Sequence, residues 1–222
     1  MRAALAACVI VTVGVVVAPA AHATTANAPV VAFVGDSNEM LAMPDVNAEL
    51  PPEFAPIDVT QPGTGIRGLR CPPNPCDPNW WETKLDATPG AADADAYVVD
   101  LGINDTLSPG DATTVGYSHY PMKIDWLMRL FGNKPVFWSN LPCEIEPPDR
   151  QTGCAIVNWT LAMATLRWPN LTILRWRSVA IAHPEWIAGS FGGIHLWPAG
   201  QQAWTSLVEQ ALDDQFGLVP SA

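Results

Sequence analysis

The sequence predicts an α/β protein, a three-layer α/β/α sandwich built on a five-stranded parallel sheet. Three observations carry this. Short β-rich runs alternate with longer helical patterns along the 222 residues, the signature of strand–helix–strand units. The first run, Pro29–Val34, is continuously apolar, as a strand buried on both faces should be. No internal repeat or linker divides the chain, and its length suits one domain.

The chain opens on a segment outside the fold. Arg2 is the only charge before an apolar run from Ala3 to Ala21, and Ala21-His22-Ala23 forms an A-x-A cleavage pattern. Residues 1–23 read as a secretory signal peptide, with 24–222 as one domain. An uncleaved anchor competes, because the run approaches membrane-spanning length. Cleavage would leave 199 residues and, with Arg2 gone, a net charge of −12 in place of −11. The mature protein is then expected to be secreted or held at the cell envelope, without stable membrane insertion.

The elements follow in order. Pro29–Val34 is the first strand, and a helix is expected directly after Ser37. Pro56–Thr60 is a weaker strand. Ala96–Leu101, Pro135–Leu141 and Leu171–Trp176 complete the five. Lys123–Phe131 carries Ile124, Leu127, Met128 and Phe131 on one helical face. Ile156–Trp168 is a second helix. Pro198–Phe216 is the last, with Pro suited to the first turn and Trp204, Leu207, Val208, Ala211 and Leu212 sharing a face. Cys71–Trp80, Thr106–Tyr120 and Pro142–Gly153 read as long connections. On such a scaffold long loops border the site, at the carboxyl ends of the strands.

Composition narrows the function. Only 15% of residues are charged, with 22 Asp+Glu against 11 Lys+Arg. Without a basic run the chain is a poor nucleic-acid binder. Nearly half the residues are hydrophobic, too many for a disordered chain. Apart from Cys8, four cysteines remain, and in an exported protein they suggest two disulfides. Proximity favours Cys71–Cys76 and Cys143–Cys154. Structural zinc is the rival, but the spacings do not form paired C-x2-C hooks. The four His show no ligand spacing, so no metal is expected.

Three stretches carry chemistry. In VVAFVGDSN (30–38) a buried strand runs into Gly35-Asp36-Ser37, placing the Ser37 hydroxyl at a strand end and a helix N-terminus, where free N–H groups stabilise negative charge. An ordinary turn and helix cap would look the same. In AYVVDLGIND (96–105) a second strand ends in Gly102, and Asn104 would project at the same sheet edge, able to donate to an oxyanion or to support its own loop. In GIHLWPAG (193–200), His195 sits in a turn before the last helix.

Together these blocks resemble the SGNH hydrolases, the GDSL-like lipase/acylhydrolase family, over about Val30 to Phe216. Gly35-Asp36-Ser37 matches the first block, Gly102-Ile103-Asn104-Asp105 the third, and Ile194-His195-Leu196 with Pro198-Ala199-Gly200 the last. The second block is an oxyanion-hole glycine, for which Gly63 is chosen and Gly65 is the alternative. The resemblance implies a flavodoxin-like sheet and a carboxylic ester hydrolase with Ser37 as nucleophile and His195 as general base. It also implies an oxyanion hole of the Ser37 and Gly63 N–H groups with the Asn104 side chain, and no cofactor.

One departure matters. The family keeps an Asp three residues before its His; here that position is Gly192. A backbone carbonyl near residues 190–192 could accept the His195 Nδ1–H, leaving a Ser–His dyad. Glu185 could substitute as the acid, or catalysis could be lost and a binding protein remain. Among the ten Trp, Trp197 and then Trp80-Trp81 are the candidates to line the site, the rest being packing. Asp36 and Asp105 read as turn residues. The segments around Trp168–Trp176 and His183–Trp186 loosely resemble domains that handle O-acyl groups of envelope polysaccharides. The expected partner is therefore an ester or O-acylated carbohydrate, hydrolysed or transferred by a monomer.

Overall fold

The computed structural model describes residues 28–66, 68–69, 79–107, 120–187, 190 and 194–217. The expectations for residues 1–23, Cys71, Cys76 and Gly192 lie outside these.

Five parallel strands form the main sheet: β1 (Val30–Gly35), β2 (Ala55–Asp58), β3 (Ala96–Asp100), β4 (Val136–Ser139) and β5 (Leu171–Leu174). Their order is 2-1-3-4-5, all pairs parallel. Among the described residues six helices accompany them: α1 (Ser37–Glu49), α2 (Trp80–Ala87), α3 (Tyr120–Phe131), α4 (Pro148–Ala164), α5 (Trp176–Ala180) and α6 (Pro198–Phe216).

Pleating explains the three layers. Ala32 and Val34 of β1, Tyr97 and Val99 of β3, and Val136 and Trp138 of β4 point to one face. There they meet Trp81 and Leu85 of α2, Ile124, Leu127 and Met128 of α3, and Val157 and Leu161 of α4. The alternate residues Val31, Phe33, Val98 and Phe137 face Ala42, Met43 and Val46 of α1 and Trp204, Val208 and Leu212 of α6. A strand covered on both faces has no polar side, which is why PVVAFV carries no alternation. Burying one such Val or Phe contributes about 1.5–3 kcal/mol.

β1 is an interior strand, and the chain leaves it in one direction through α1 to β2, then returns on its other side at β3. That reversal is a topological switch point, and it opens a crevice at the carboxyl ends of β1 and β3. Ser37 follows β1 and Asn104 follows β3, so the fold brings both candidate residues to that crevice.

The expected elements are present, with corrections. α4 begins at Pro148, so the second half of the expected connection Pro142–Gly153 is helix. Pro is tolerated at the first helical position because its missing N–H would be unpaired there anyway, and the buried Gly153 is carried by packing. α2, α5 and a two-stranded ribbon, Thr64–Gly65 with Gly68–Leu69, were not expected. α6 spans the expected residues and ends on Gly217 at φ 67°, left-handed backbone that glycine adopts without strain. Cys143 and Cys154 form a disulfide, with Cα atoms 5.4 Å apart, tying the segment after β4 to α4.

Candidate active site

The nucleophile block is assembled by local rules. Asp36 caps α1, its Oδ1 accepting from the Asn38 N–H at 2.9 Å. Ser37 is the first helical residue, so its side chain stands at the positive end of the helix dipole. Gly35 cannot carry a side chain, since a Cβ there would overlap the Glu39 carboxyl.

His195 arrives from the far end of the chain. Its Nε2 lies 2.9 Å from Ser37 Oγ, across 158 residues of sequence. No strand or helix carries His195; among the described residues three hydrogen bonds hold the backbone from Ile194 to Leu196. Asn38 Nδ2 donates to the Ile194 carbonyl at 3.0 Å, and the Leu196 N–H donates to Asn38 Oδ1 at 3.2 Å. The His195 N–H donates to Ser190 Oγ, also at 3.2 Å. A single amide, next to the nucleophile in sequence, thus grips the peptide on both sides of the base. Asn38 was not singled out in the sequence. The available signal was a polar residue in the first turn of α1, at a position the fold buries.

Asn104 does reach the crevice. Its Nδ2 donates to Asp36 Oδ2 at 2.9 Å and to the Thr64 carbonyl at 2.8 Å. Both amide hydrogens are therefore engaged, and donation to an oxyanion would share one of them. The turn before the ribbon is tied to β1, with the Gln61 N–H donating to the Gly35 carbonyl at 2.9 Å. Within that turn Gly63 has φ 74°, and its N–H makes no hydrogen bond among the described residues. Gly65 has a different task. A Cβ there would overlap the Asp105 carboxyl, whose Oδ2 accepts from the Ile66 N–H at 2.7 Å. Asp36 and Asp105 thus brace their turns.

The other candidates divide. Trp81 is fully buried, donating to the Gly65 carbonyl at 3.0 Å, and Trp80 packs half-buried against the same core. The pair is core rather than site lining, because α2 turns Trp81 into the sheet. Trp197 is 48% exposed and lines a groove with His195. Glu185 Oε1 lies 3.0 Å from His183 Nδ1 at the surface, so its carboxylate is engaged away from His195.

Buried acids surround the nucleophile. Asp36 and Glu39 are wholly buried and Asp100 nearly so. Burial raises all three pKa values, Asp100 to about 7. Asp100 pushes Asp36 and Glu39 further up. Neither Glu39 oxygen has a hydrogen-bond partner among the described residues. Glu146 is also pushed up to about 7 by burial, despite Arg150 nearby. Asp100, Glu146 and Asn38 border a cavity of about 20 Å³, room for one water.

No family model matches this sequence, and no curated protein matches it. Solved structures do. A lipase/acylhydrolase from Enterococcus faecalis superposes with a TM-score of 0.64 at 16% identity, covering 87% of this chain and 99% of that one. A GDSL-like lipase from Bacteroides thetaiotaomicron gives 0.57 at 13% identity, covering 88% and 92%. The C-terminal catalytic domain of Streptococcus pneumoniae peptidoglycan O-acetyltransferase A gives 0.56 at 15% identity, covering 86% and 97%. With the 2-1-3-4-5 parallel sheet, these likenesses show that the chain has the SGNH/GDSL-like hydrolase fold.

Proposed function

We propose that the protein is an exported serine ester hydrolase that cleaves carboxylic esters, the O-acyl groups of envelope polysaccharide among them. The observation that carries this reading is the 2.9 Å contact between Ser37 Oγ and His195 Nε2 at a switch-point crevice. A hydroxyl bonded to an imidazole can be deprotonated as it attacks.

Ser37 Oγ attacks the ester carbonyl, and its proton passes to His195 Nε2. The Ser37 and Gly63 N–H groups and the Asn104 amide receive the oxyanion. His195 returns the proton to the departing alcohol. A water, deprotonated by the same nitrogen, then releases the acid from Ser37. Residue 192 is Gly, so the family's acid has no side chain there. In this reading a backbone carbonyl accepts from Nδ1 and leaves a Ser–His dyad, its geometry maintained by the grip of Asn38. The acidic surplus of the chain favours neutral over anionic substrates. Likeness to an O-acetyltransferase domain supports a second reading, in which a sugar hydroxyl replaces water as acceptor.

A fluorophosphonate probe should label Ser37, and a short-chain nitrophenyl ester should be cleaved by wild type but not by Ser37→Ala. Absence of both between pH 6 and 9 would leave a binding protein of this fold. Gly192→Asp tests the dyad: a large rise in kcat marks an orienting role left partly unfilled, whereas an unchanged kcat means the existing acceptor suffices.

A further inference from the structure

Resting on the esterase reading above, we propose that the groove beside His195 is the subsite for the alcohol half of the ester. Its occupant is a neutral pyranose ring.

The groove has a volume of about 470 Å³, within the range of small-molecule sites. Leu41 of α1, Ser190, His195, Leu196 and Trp197, and Pro198 and Gln201 of α6 line it. His195 is among these residues, but Ser37, Gly63 and Asn104 are not. It therefore opens off the imidazole and not off the oxyanion hole. In the reaction the Ser37 Oγ–carbonyl bond forms as the Oγ proton moves to Nε2. The carbonyl–alkoxy bond then breaks as Nε2 gives that proton to the departing oxygen. That oxygen must lie within hydrogen-bond reach of Nε2, so the group bonded to it is delivered to whatever space adjoins the imidazole.

The lining selects the chemistry. It contains no carboxylate, guanidinium or ammonium group among the described residues, which leaves an ionic headgroup without a counter-charge. Leu41 and Trp197 are 39% and 48% exposed, giving an aliphatic and an indole surface for dispersion contact. Gln201 Nε2 donates to the Leu196 carbonyl at 2.8 Å. Its amide is thus fixed, while Oε1 makes no hydrogen bond among the described residues. A pyranose meets both demands, with a C–H face for the indole and a hydroxyl rim for the amide oxygen. An alkyl chain would cover the apolar surface but strip water from Gln201 Oε1 without replacing its hydrogen bond.

Two ester series read the proposal. One holds the acetyl group constant and varies the alcohol through methanol, cyclohexanol and a methyl glucopyranoside. The other holds nitrophenol constant and lengthens the acyl chain from acetyl to octanoyl. In Trp197→Ala, kcat/KM for the acetylated pyranoside relative to methyl acetate should fall about tenfold, with partial rescue in Trp197→Phe. Gln201→Ala should lower the pyranoside relative to cyclohexyl acetate. Chain-length preference should remain as in wild type.

An equal fall for methyl acetate and the pyranoside would overturn the subsite, as would a shift in chain-length preference, which would assign the groove to the acyl half. Cyclohexyl acetate falling with the pyranoside in Gln201→Ala would overturn the sugar. If wild type cleaves no ester, the esterase reading fails on its own. Ser37→Ala protein titrated with methyl glucopyranoside then decides the groove, by saturation transfer to the ring protons that Trp197→Ala should abolish; no transfer overturns it.

Discussion

The nucleophile and its base are held in opposite ways. Ser37 sits where a buried strand meets a capped helix, and neighbours in sequence determine its position: Gly35, the Asp36 cap, the first turn of α1. His195 lies just before α6 on neither strand nor helix, and remote groups place it, chiefly the Asn38 amide on Ile194 and Leu196. A local turn can place a side chain because few torsions separate it from rigid elements. A loop residue needs tertiary bonds, and when one side chain supplies two of them, much of the alignment depends on it.

Removing the chemistry altogether has the largest effect. Ser37→Ala and His195→Ala should each lower kcat by about 10⁴ or more, with similar losses because they act as one unit, and the double variant should add little. Single-turnover assays with a nitrophenyl ester check this; additive losses would mean the two act separately.

Next comes the tether. Asn38→Ala leaves both catalytic side chains in place but frees the Ile194–Leu196 backbone. The expected loss in kcat is on the order of 10²-fold, with little change in KM. Asn38→Asp keeps the acceptor for the Leu196 N–H but loses the donor to Ile194, so it should fall between. If both variants lose only thermal stability and keep kcat, the tether is structural only.

A smaller effect concerns the acids beneath Ser37, and its sign follows from proton linkage. Asp100 and Glu146 have folded-state pKa values of about 7, and those of Asp36 and Glu39 are also raised. The folded protein therefore binds more protons than the unfolded chain. The stability these groups leave intact below about pH 4 is lost as pH rises through about 7. Asp125, Glu144 and Glu185 are lowered and act in the opposite sense, but they lie near the surface, where solvent screens them. Tm should thus fall by on the order of 5 °C between pH 5 and 8. Glu39→Gln should flatten the slope, and calorimetry across this window shows whether it does.

The smallest is the cap. Asp36→Ala should destabilise the protein by about 1 kcal/mol in urea unfolding, and it also removes an acceptor of the Asn104 amide. A kcat loss well beyond what the stability change explains would show that Asp36 holds Asn104 in place as well as capping α1.

The legible parts of this molecule were those with local causes. Continuous apolar runs marked the strands of a sheet covered on both faces, and the face Trp204–Val208–Leu212 marked α6. Ser37, Asn104 and His195 stood out because each closes a strand or precedes a helix. α2 has no clear signal of its own because the Pro-rich segment before it dominates that stretch, and α4 starts before its periodicity does because Pro148 and Gly153 resemble loop residues. The role of Asn38 had no local signature, since its partners are 156 and 158 residues away. Nor did the burial of Trp81, which depends on where α2 lies against the sheet.

The α/β alternation, the order of the candidate residues and the glycine at position 192 are read from the chain directly, because periodicity and residue identity are its own properties. Three-dimensional packing decides that Ser37 and His195 meet, that both Asn104 hydrogens are engaged and that Asp36, Glu39 and Asp100 are buried beside the nucleophile. Those outcomes depend on distances between remote segments, which are set only when both faces of the sheet are covered and the helices lock in place.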